Sequence, residues 1–246
     1  MVQRHILITG AASGIGRATA VHLAGTGHLC LIDRDADGLA KTAERIGHAN
    51  CTEIAMDITD LAGWEDLRIA PALTGAVICA GVSDAALIED MDFSAWRRVL
   101  SINLDGAFLS LQAALKCAAD GASIVAVSSA TGHKAAQMTA AYGASKAGLT
   151  QLVKVAALEA AARGVRVNAV APGGVKTPMF SDQEFFAALK DQHGGEDGAW
   201  AALAEATPSK RFAAPEEIAG LIGFLLGEES ASMTGAIVSC DGGYGL

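Results

Sequence analysis

Residues 5–16, HILITGAASGIG, decide the fold class of this chain. The stretch from His5 to Thr9 is a short Ile-rich run stopped by Gly10, the pattern of a strand buried on both faces. Glycines at 10, 14 and 16 follow, and a helical run then extends to the neighbourhood of Gly25 and Gly27. A strand, a glycine turn and a helix N-terminus in that order make an anion site. Backbone N–H groups and the helix dipole face the ligand, and glycine lets a phosphate approach the backbone. The spacing is G-x-x-x-G-x-G, not the G-x-G-x-x-G of the general dinucleotide fingerprint, and a glycine turn alone is a weak signal.

The strand–helix alternation continues along the chain. Strands are expected at residues 28–32, 53–56, 75–79, 123–129, 165–170 and 236–240. Helices are expected at 36–46, 61–70 (closed by Pro71), 94–117, 138–162 and 215–226. No linker, repeat or low-complexity break interrupts them. This order predicts an α/β fold, a doubly wound parallel sheet of about seven strands with helices on both faces, in a single domain over 1–246. Residues 178–208 differ in composition, with Phe185, Phe186, Trp200, the pair Gly194-Gly195 and mixed charges. They predict one or two amphipathic helices, serving either as a substrate cover on flexible hinges or as an ordinary surface hairpin.

The chain has 246 residues and a net charge of −9, which argues against nucleic acid or an anionic membrane surface as partner. It contains no apolar run long enough for a membrane span, and Ile6-Leu7-Ile8 is too short for a signal-peptide core. Cys30, Cys51, Cys79, Cys117 and Cys240 are odd in number and include no C-x-x-C pair, so free thiols in a reducing cytoplasm are expected. The histidines show no ligand spacing, and no metal is expected.

Tyr142 and Lys146 stand at i and i+4 of the 138–162 helix, so they share a face that continues through Leu149, Val153 and Ala157. A lysine heading a buried stripe is costly unless its charge is used, and beside a phenol it favours the phenolate, a general base near neutral pH. The bland alternative is a packed tyrosine beside a snorkelling lysine. Ser129, at the carboxyl end of a strand, is placed to hold a substrate oxygen. Asn103 falls on the apolar stripe Trp96, Val99, Leu100, Leu104, Ala107, Phe108, Leu111 and Leu115, either as a satisfied core amide or as part of a site. Asp33 ends the second strand, where a carboxylate accepts both hydroxyls of an adenosine ribose. It repels a 2′-phosphate by roughly 4 kcal/mol at about 4 Å, which favours NAD over NADP. Ser13 adds no positive charge in the glycine loop, Arg34 is the dissenting cation, and Asp33 as a mere helix cap is the other reading.

TGAASGIG, Asn103 in INLDGAF, Ser129 in SSATG, Tyr142-x-x-x-Lys146 in AYGASKAG, and APGGVKT stand in one order. Over about residues 6–243 the chain resembles a classical short-chain dehydrogenase/reductase. The resemblance implies a Rossmann-type sheet and a catalytic set of Asn103, Ser129, Tyr142 and Lys146. In it Tyr142 exchanges the proton, and Lys146 lowers the tyrosine pKa and binds the nicotinamide ribose. Ser129 polarises the substrate oxygen, and Asn103 holds a water linking Lys146 to solvent. It further implies cofactor contacts from Gly10, Ser13, Gly14, Ile15, Gly16, Asp33, Arg34, Asp57, Ile58, Ala80, Gly81, Tyr142, Lys146, Pro172, Gly173, Val175 and Thr177. Ser129, Ala130, His133, Gln137, Gly174 and Met179 are the candidate substrate contacts. A homotetramer, or a homodimer, is implied through the helices bearing Asn103 and Tyr142. Two departures stand out. Ile78-Cys79-Ala80-Gly81 replaces the family's Asn-Asn-Ala-Gly, which leaves open how that strand edge is pinned and exposes a thiol to reagents. The segment between Asp57 and Gly81 is short, so its helix should be trimmed.

The leading expectation is an oxidoreductase that passes a hydride between NAD and a secondary alcohol or the matching ketone. Sugars, polyols, hydroxy steroids and cyclic or aryl alcohols all fit, with His133 and Gln137 leaning toward a hydroxyl-rich small molecule. The alternatives are an NADPH-dependent ketone reductase, with Arg34 on the phosphate, and a non-catalytic dinucleotide-binding regulator. The complete catalytic set argues against the regulator. An epimerase or dehydratase of the extended family carries a larger C-terminal substrate domain than the roughly seventy residues after Thr177.

Overall fold

The computed structural model of the chain describes residues 4–69 and 71–246. Among the described residues, seven strands form one sheet: β1 (Arg4–Thr9), β2 (Gly27–Asp33), β3 (Cys51–Ala55), β4 (Leu73–Ile78), β5 (Ala118–Val127), β6 (Arg166–Pro172) and β7 (Ile237–Cys240). Every pairing is parallel and the order is β3-β2-β1-β4-β5-β6-β7. The helices before β4 are α1 (Gly14–Leu23), α2 (Ala36–Ile46) and α3 (Leu61–Asp66). Next come α4 (Phe93–Leu100), a π-helical segment (Ser101–Gly106), α5 (Ala107–Cys117) and α6 (Ala140–Ala160). The last four are α7 (Pro178–Ser181), α8 (Glu184–Gln192), α9 (Glu196–Ala204) and α10 (Pro215–Leu226).

Strand side chains alternate between faces, so a sheet covered on both sides needs continuous apolar strands. In β1, Ile6 and Ile8 join a core with Leu23, Leu39, Val125, Ile218 and Ile222, under α1, α2 and α10. Leu7 points the other way, into a core with Trp64, Leu111, Leu149 and Val153, under α3, α5 and α6. The winding reverses between β1 and β4, whose carboxyl ends open the crevice in which such sheets bind ligands. Thr9 pins that junction: its Oγ1 accepts from Cys79 N at 3.0 Å and from Ala80 N at 3.3 Å. The strand edge left in question by Ile78-Cys79 is therefore held from the β1 side.

The ends of the other strands lie within two residues of expectation, and α2 and α10 match it. The departures have local causes. The helix expected over 61–70 stops at Asp66, where Leu67 turns extended (ψ 125°). Ala70 lies outside the described residues. The helix expected over 94–117 is interrupted by the π segment at Asn103. β5 starts at Ala118 with a register shift near Gly121 (φ 79°), and it ends at Val127, two residues early. α6 begins at Ala140 because Met138 adopts a left-handed backbone (φ 64°).

Residues 178–208 form three short helices, not one or two. They enclose a core of their own in which Phe186, Ala199, Trp200, Ala204 and Phe212 are buried, joined by Phe180 and Leu189. The Trp200 ring lies 4.4 Å from that of Phe186 and 5.9 Å from that of Phe212. Gly194 (φ 74°) and Gly195 (φ 124°) reverse the chain between α8 and α9, a turn that L side chains resist. The Phe212 ring occupies the space that a side chain at Gly174 would need, so this unit is clasped to the loop after β6.

Replacing Thr9 by Val keeps its shape but leaves the Cys79 and Ala80 N–H groups without their acceptor. The expected loss is about 1–3 kcal/mol in urea unfolding. An unchanged midpoint would show that the junction is held by packing alone.

Candidate active site

The glycine loop between β1 and α1 is built for close approach. Gly10 has φ +70°, and a Cβ there would sit 2.8 Å from the Ala80 backbone. A Cβ on Gly16 would overlap the Gly10 carbonyl. Gly14 (φ +50°) faces Thr177 across the crevice, where a Cβ would lie 3.3 Å from Thr177 Cγ2. Ser13 caps α1 without a side-chain hydrogen bond, so the first-turn N–H groups beside Ile15 are not consumed by it. The loop is a cradle that a side chain would fill, and its chemistry fits a dinucleotide pyrophosphate.

Asp33 lies at the end of β2, beside this loop. Its Oδ2 accepts from Ala12 N and its Oδ1 from Asp35 N, both at 3.1 Å. The cap of α2 is Asp35, which accepts from Gly38 N at 3.0 Å, so the capping reading of Asp33 is overturned. Arg34 is exposed. Arg17, which sequence reasoning missed, straps the loop to α2 through Thr42 Oγ1 (3.0 Å) and the carbonyls of Ala12 and Gly38. Asp57 Oδ1 accepts from Thr59 N (2.9 Å) and Thr59 Oγ1 (2.8 Å). The Ile58 side chain is buried in the core against Gly106, and its carbonyl accepts from Trp64 Nε1 at 2.8 Å.

Tyr142 and Lys146 sit on the first turns of α6, and Ser129 sits beyond the end of β5. Lys146 is 3% exposed; its Nζ donates to the Val127 carbonyl at 2.9 Å and lies 5.7 Å from the Tyr142 ring centre. Burial pushes this ammonium down to about 8. Burial also pushes the Tyr142 phenol above its ordinary value, and the Ser129 hydroxyl draws it partly back. Desolvation is the largest cause of that shift. The Cys79 thiol is pushed up to about 12, chiefly by burial, and stays protonated at neutral pH.

Asn103 is fully buried in the π segment, a distortion that often marks functional sites. Its Oδ1 accepts from Val82 N and its Nδ2 donates to Val82 O, both at 2.8 Å. Nδ2 also donates to Ser145 Oγ at 3.2 Å, and Ser145 Oγ donates to the Tyr142 carbonyl at 2.7 Å. The amide protons are spent on positioning, so a water could be held only by the remaining Oδ1 lone pair or the main chain. A Cβ on Gly81 would come 3.2 Å from Asn103 Oδ1 and 3.5 Å from Lys146 Nζ, so glycine lets the backbone pass close to both.

The loop after β6 supplies the far wall. The Pro172 carbonyl accepts from Ser129 Oγ at 3.5 Å, and Gly173 packs against Asp241. Val175 is buried through its side chain and bridges Ala213. Gly174 O and Lys176 N make both hydrogen bonds of that bridge, so the Val175 N–H is not used in it. Thr177 caps α7, whose Met179 is half-buried. His133 and Gln137 are exposed on the loop before α6. That loop is pinned by Lys134, which donates to the Tyr244 carbonyl and lies 4.6 Å over its ring, while the His133 ring lies near Gly245.

A family model described as enoyl-(acyl carrier protein) reductase matches residues 10–245. The chain is 37% identical to cis-4-hydroxycyclohexanecarboxylate dehydrogenase of Sinomonas cyclohexanicum, over 98% of this chain and 96% of that one. It is 33% identical to cyclohexanol dehydrogenase of Acinetobacter sp. (strain SE19), over 97% and 93%. The crystal structure of levodione reductase superposes with a TM-score of 0.87 at 32% identity, covering 98% and 97% of the two chains. The chain belongs to the short-chain dehydrogenase/reductase family. It is an oxidoreductase of that family, whose members bind a nicotinamide dinucleotide. Among the described residues no helix is long and apolar enough to cross a membrane.

Lys146 generates a stability prediction. Its folded pKa of about 8 lies below the ordinary 10.5, so between these values the unfolded chain holds a proton that the folded chain has lost. Burying the charge therefore costs stability below about pH 8, and the cost is relieved as pH rises toward 10.5. Lys146→Met should raise urea stability at about pH 7 by about 1–2 kcal/mol and lose that advantage near pH 10, while abolishing turnover. A variant less stable than native at both pH values would contradict this reading.

Proposed function

We propose that the chain is an NAD-dependent dehydrogenase of secondary alcohols that also returns the matching ketones. The observation that carries this reading is a buried lysine, Lys146, held on the Val127 carbonyl 5.7 Å from the Tyr142 ring at the mouth of the glycine cradle. Bound NAD supplies the hydride acceptor. Tyr142 takes the proton of the substrate hydroxyl as general base, and returns it as general acid in the reverse direction. Ser129 holds the substrate oxygen. Lys146 binds the nicotinamide ribose, and its charge offsets the phenolate that burial disfavours. Asn103 fixes the position of the Tyr142 turn through Ser145 and contributes to a water path toward Lys146.

Gly10, Ser13, Gly14, Ile15 and Gly16 hold the pyrophosphate, and Asp57, Ile58, Ala80 and Gly81 border the adenosine half. Pro172, Gly173, Val175 and Thr177 hold the nicotinamide end. NAD over NADP is supported by the Asp33 carboxylate beside the glycine loop; Arg34, exposed, is the counter-argument. The names of the cyclohexanol and hydroxycyclohexanecarboxylate dehydrogenases support an alicyclic alcohol, seated against Gly174 and Met179. The lean toward polyols from His133 and Gln137 weakens, because both are exposed and the His133 ring lies by Gly245.

The chain works over 1–246 as one catalytic unit, with residues 178–208 as a cover that moves as a body because it has its own aromatic core. It assembles as a homotetramer or homodimer. Support comes from an apolar groove lined by Phe108, Leu111, Leu115, Leu152 and Val155, with Phe108 44% and nearby Leu158 80% exposed. Sequence periodicity placed Phe108 on the buried stripe; it faces outward. The free, half-buried cysteines suit a reducing cytoplasm.

The first test is reduction of NAD and of NADP across a panel of cyclic and open-chain secondary alcohols, with Tyr142→Phe beside the native protein. Turnover with NAD that falls by about 10² to 10⁴ in the variant is expected. Native protein that binds NADH but gives no turnover distinguishable from the variant would put the regulator reading first. Asp33→Ser should raise kcat/KM with NADP while lowering it with NAD. Tighter binding of NADPH than NADH by the native protein would overturn the cofactor assignment.

A further inference from the structure

Ser129 Oγ is the target of two donors from one residue. Thr131 N donates to it at 3.2 Å and Thr131 Oγ1 at 2.9 Å. A serine hydroxyl has one proton and two lone pairs, so both acceptor positions are taken. Its proton points to the Pro172 carbonyl at 3.5 Å, the outer limit of a hydrogen bond. This arrangement is local to the short 3₁₀ turn Ala130–Gly132, which Ser129 caps and which Gly132 N closes onto Ser129 O at 2.9 Å.

We propose that Thr131 is a positioning residue that turns Ser129 into a dedicated hydrogen-bond donor for the reacting oxygen. The inference rests on the reading of Ser129 as the group that holds that oxygen, and goes beyond it by fixing the direction of the bond. A hydroxyl with both lone pairs engaged cannot accept the substrate proton, so Tyr142 alone receives it. Ser129 keeps its own proton throughout and donates it to the oxygen, which gains negative charge as its proton leaves for the Tyr142 oxygen. Before a substrate oxygen arrives, that one proton serves the Tyr142 oxygen, in line with the Ser129 hydroxyl drawing the Tyr142 pKa downward. Accepting from Thr131 Oγ1 polarises the Ser129 O–H and strengthens it as a donor. The weak contact to Pro172 O is the one that is given up when a substrate oxygen arrives.

The test uses Thr131→Val, which removes the hydroxyl at nearly constant shape, Thr131→Ser, which restores it, and Ser129→Ala as the reference. Thr131→Ala is a second hydroxyl-free variant should the valine fail to fold. Steady-state rates are measured with NAD and the best alcohol of the panel, against pH, alongside NADH affinity. Thr131→Val should lower kcat about three- to tenfold, the worth of one neutral hydrogen bond, with NADH affinity unchanged. The rising, acid-side limb of its kcat/KM profile for alcohol oxidation should move to higher pH, because weaker donation leaves the Tyr142 phenolate, the required base, less favoured. Thr131→Ser should recover both. If Ser129→Ala loses activity while Thr131→Val keeps native kcat and pH profile, the inference is wrong. It is equally wrong if serine at 131 fails to rescue. If Ser129→Ala itself behaves as native, the underlying reading of Ser129 fails instead.

Discussion

The ammonium of Lys146, at 3% exposure and held by one strand carbonyl, is the constraint around which the site is arranged. Taking a charge out of water is costly unless hydrogen bonds and fixed geometry compensate. The surrounding contacts supply that geometry. The Lys146 carbonyl accepts from Ser128 Oγ at 3.2 Å and from Thr150 Oγ1 at 2.9 Å, which locks the end of β5 to the second turn of α6. One residue earlier, Ser145 links α6 to Asn103, and Asn103 clamps the loop after β4 at Val82. Three segments distant in sequence therefore meet within two turns of one helix. Their shared function is to keep a desolvated amine beside a desolvated phenol.

Desolvation also sets the electrostatics. Burial acts on both members of the pair in the neutral direction, the amine downward and the phenol upward. The amine is thereby brought toward neutral pH, whereas the phenolate is disfavoured and is helped only by the Ser129 hydroxyl.

The fold was legible because strands covered on both faces must be apolar throughout, and that pattern survives in a single sequence. The Tyr142–Lys146 spacing was legible for the same kind of reason, since helical repeat is a local property. What could not be read depends on depth and on main-chain detail. The π segment at Asn103 preserves the apolar stripe well enough that periodicity passes over it. Ile58 follows Asp57 directly, yet its side chain enters the core, because the space beside Gly106 is open only in three dimensions. The direction of the Tyr142 shift follows from desolvation of a half-buried phenol, which no spacing encodes. Thr9 carried a faint signal, a hydroxyl ending an otherwise apolar strand, but its partners at Cys79 and Ala80 lie seventy residues on. In the 178–208 region the aromatic content was visible; the division into three helices depends on turns at Asp182 and at Gly194-Gly195.

The strand order bears on how the chain comes off the ribosome. β1, made before the other six strands of this sheet, lies inside it, paired with β2 on one side and β4 on the other. Through the synthesis of residues 10–72, Ile6, Leu7 and Ile8 can be matched on one edge only. An unpaired apolar edge is a template for wrong partners, so this interval is when the nascent chain most needs protection from its neighbours. The Thr9 hydroxyl, waiting for the amides of Cys79 and Ala80, marks the point at which that edge closes.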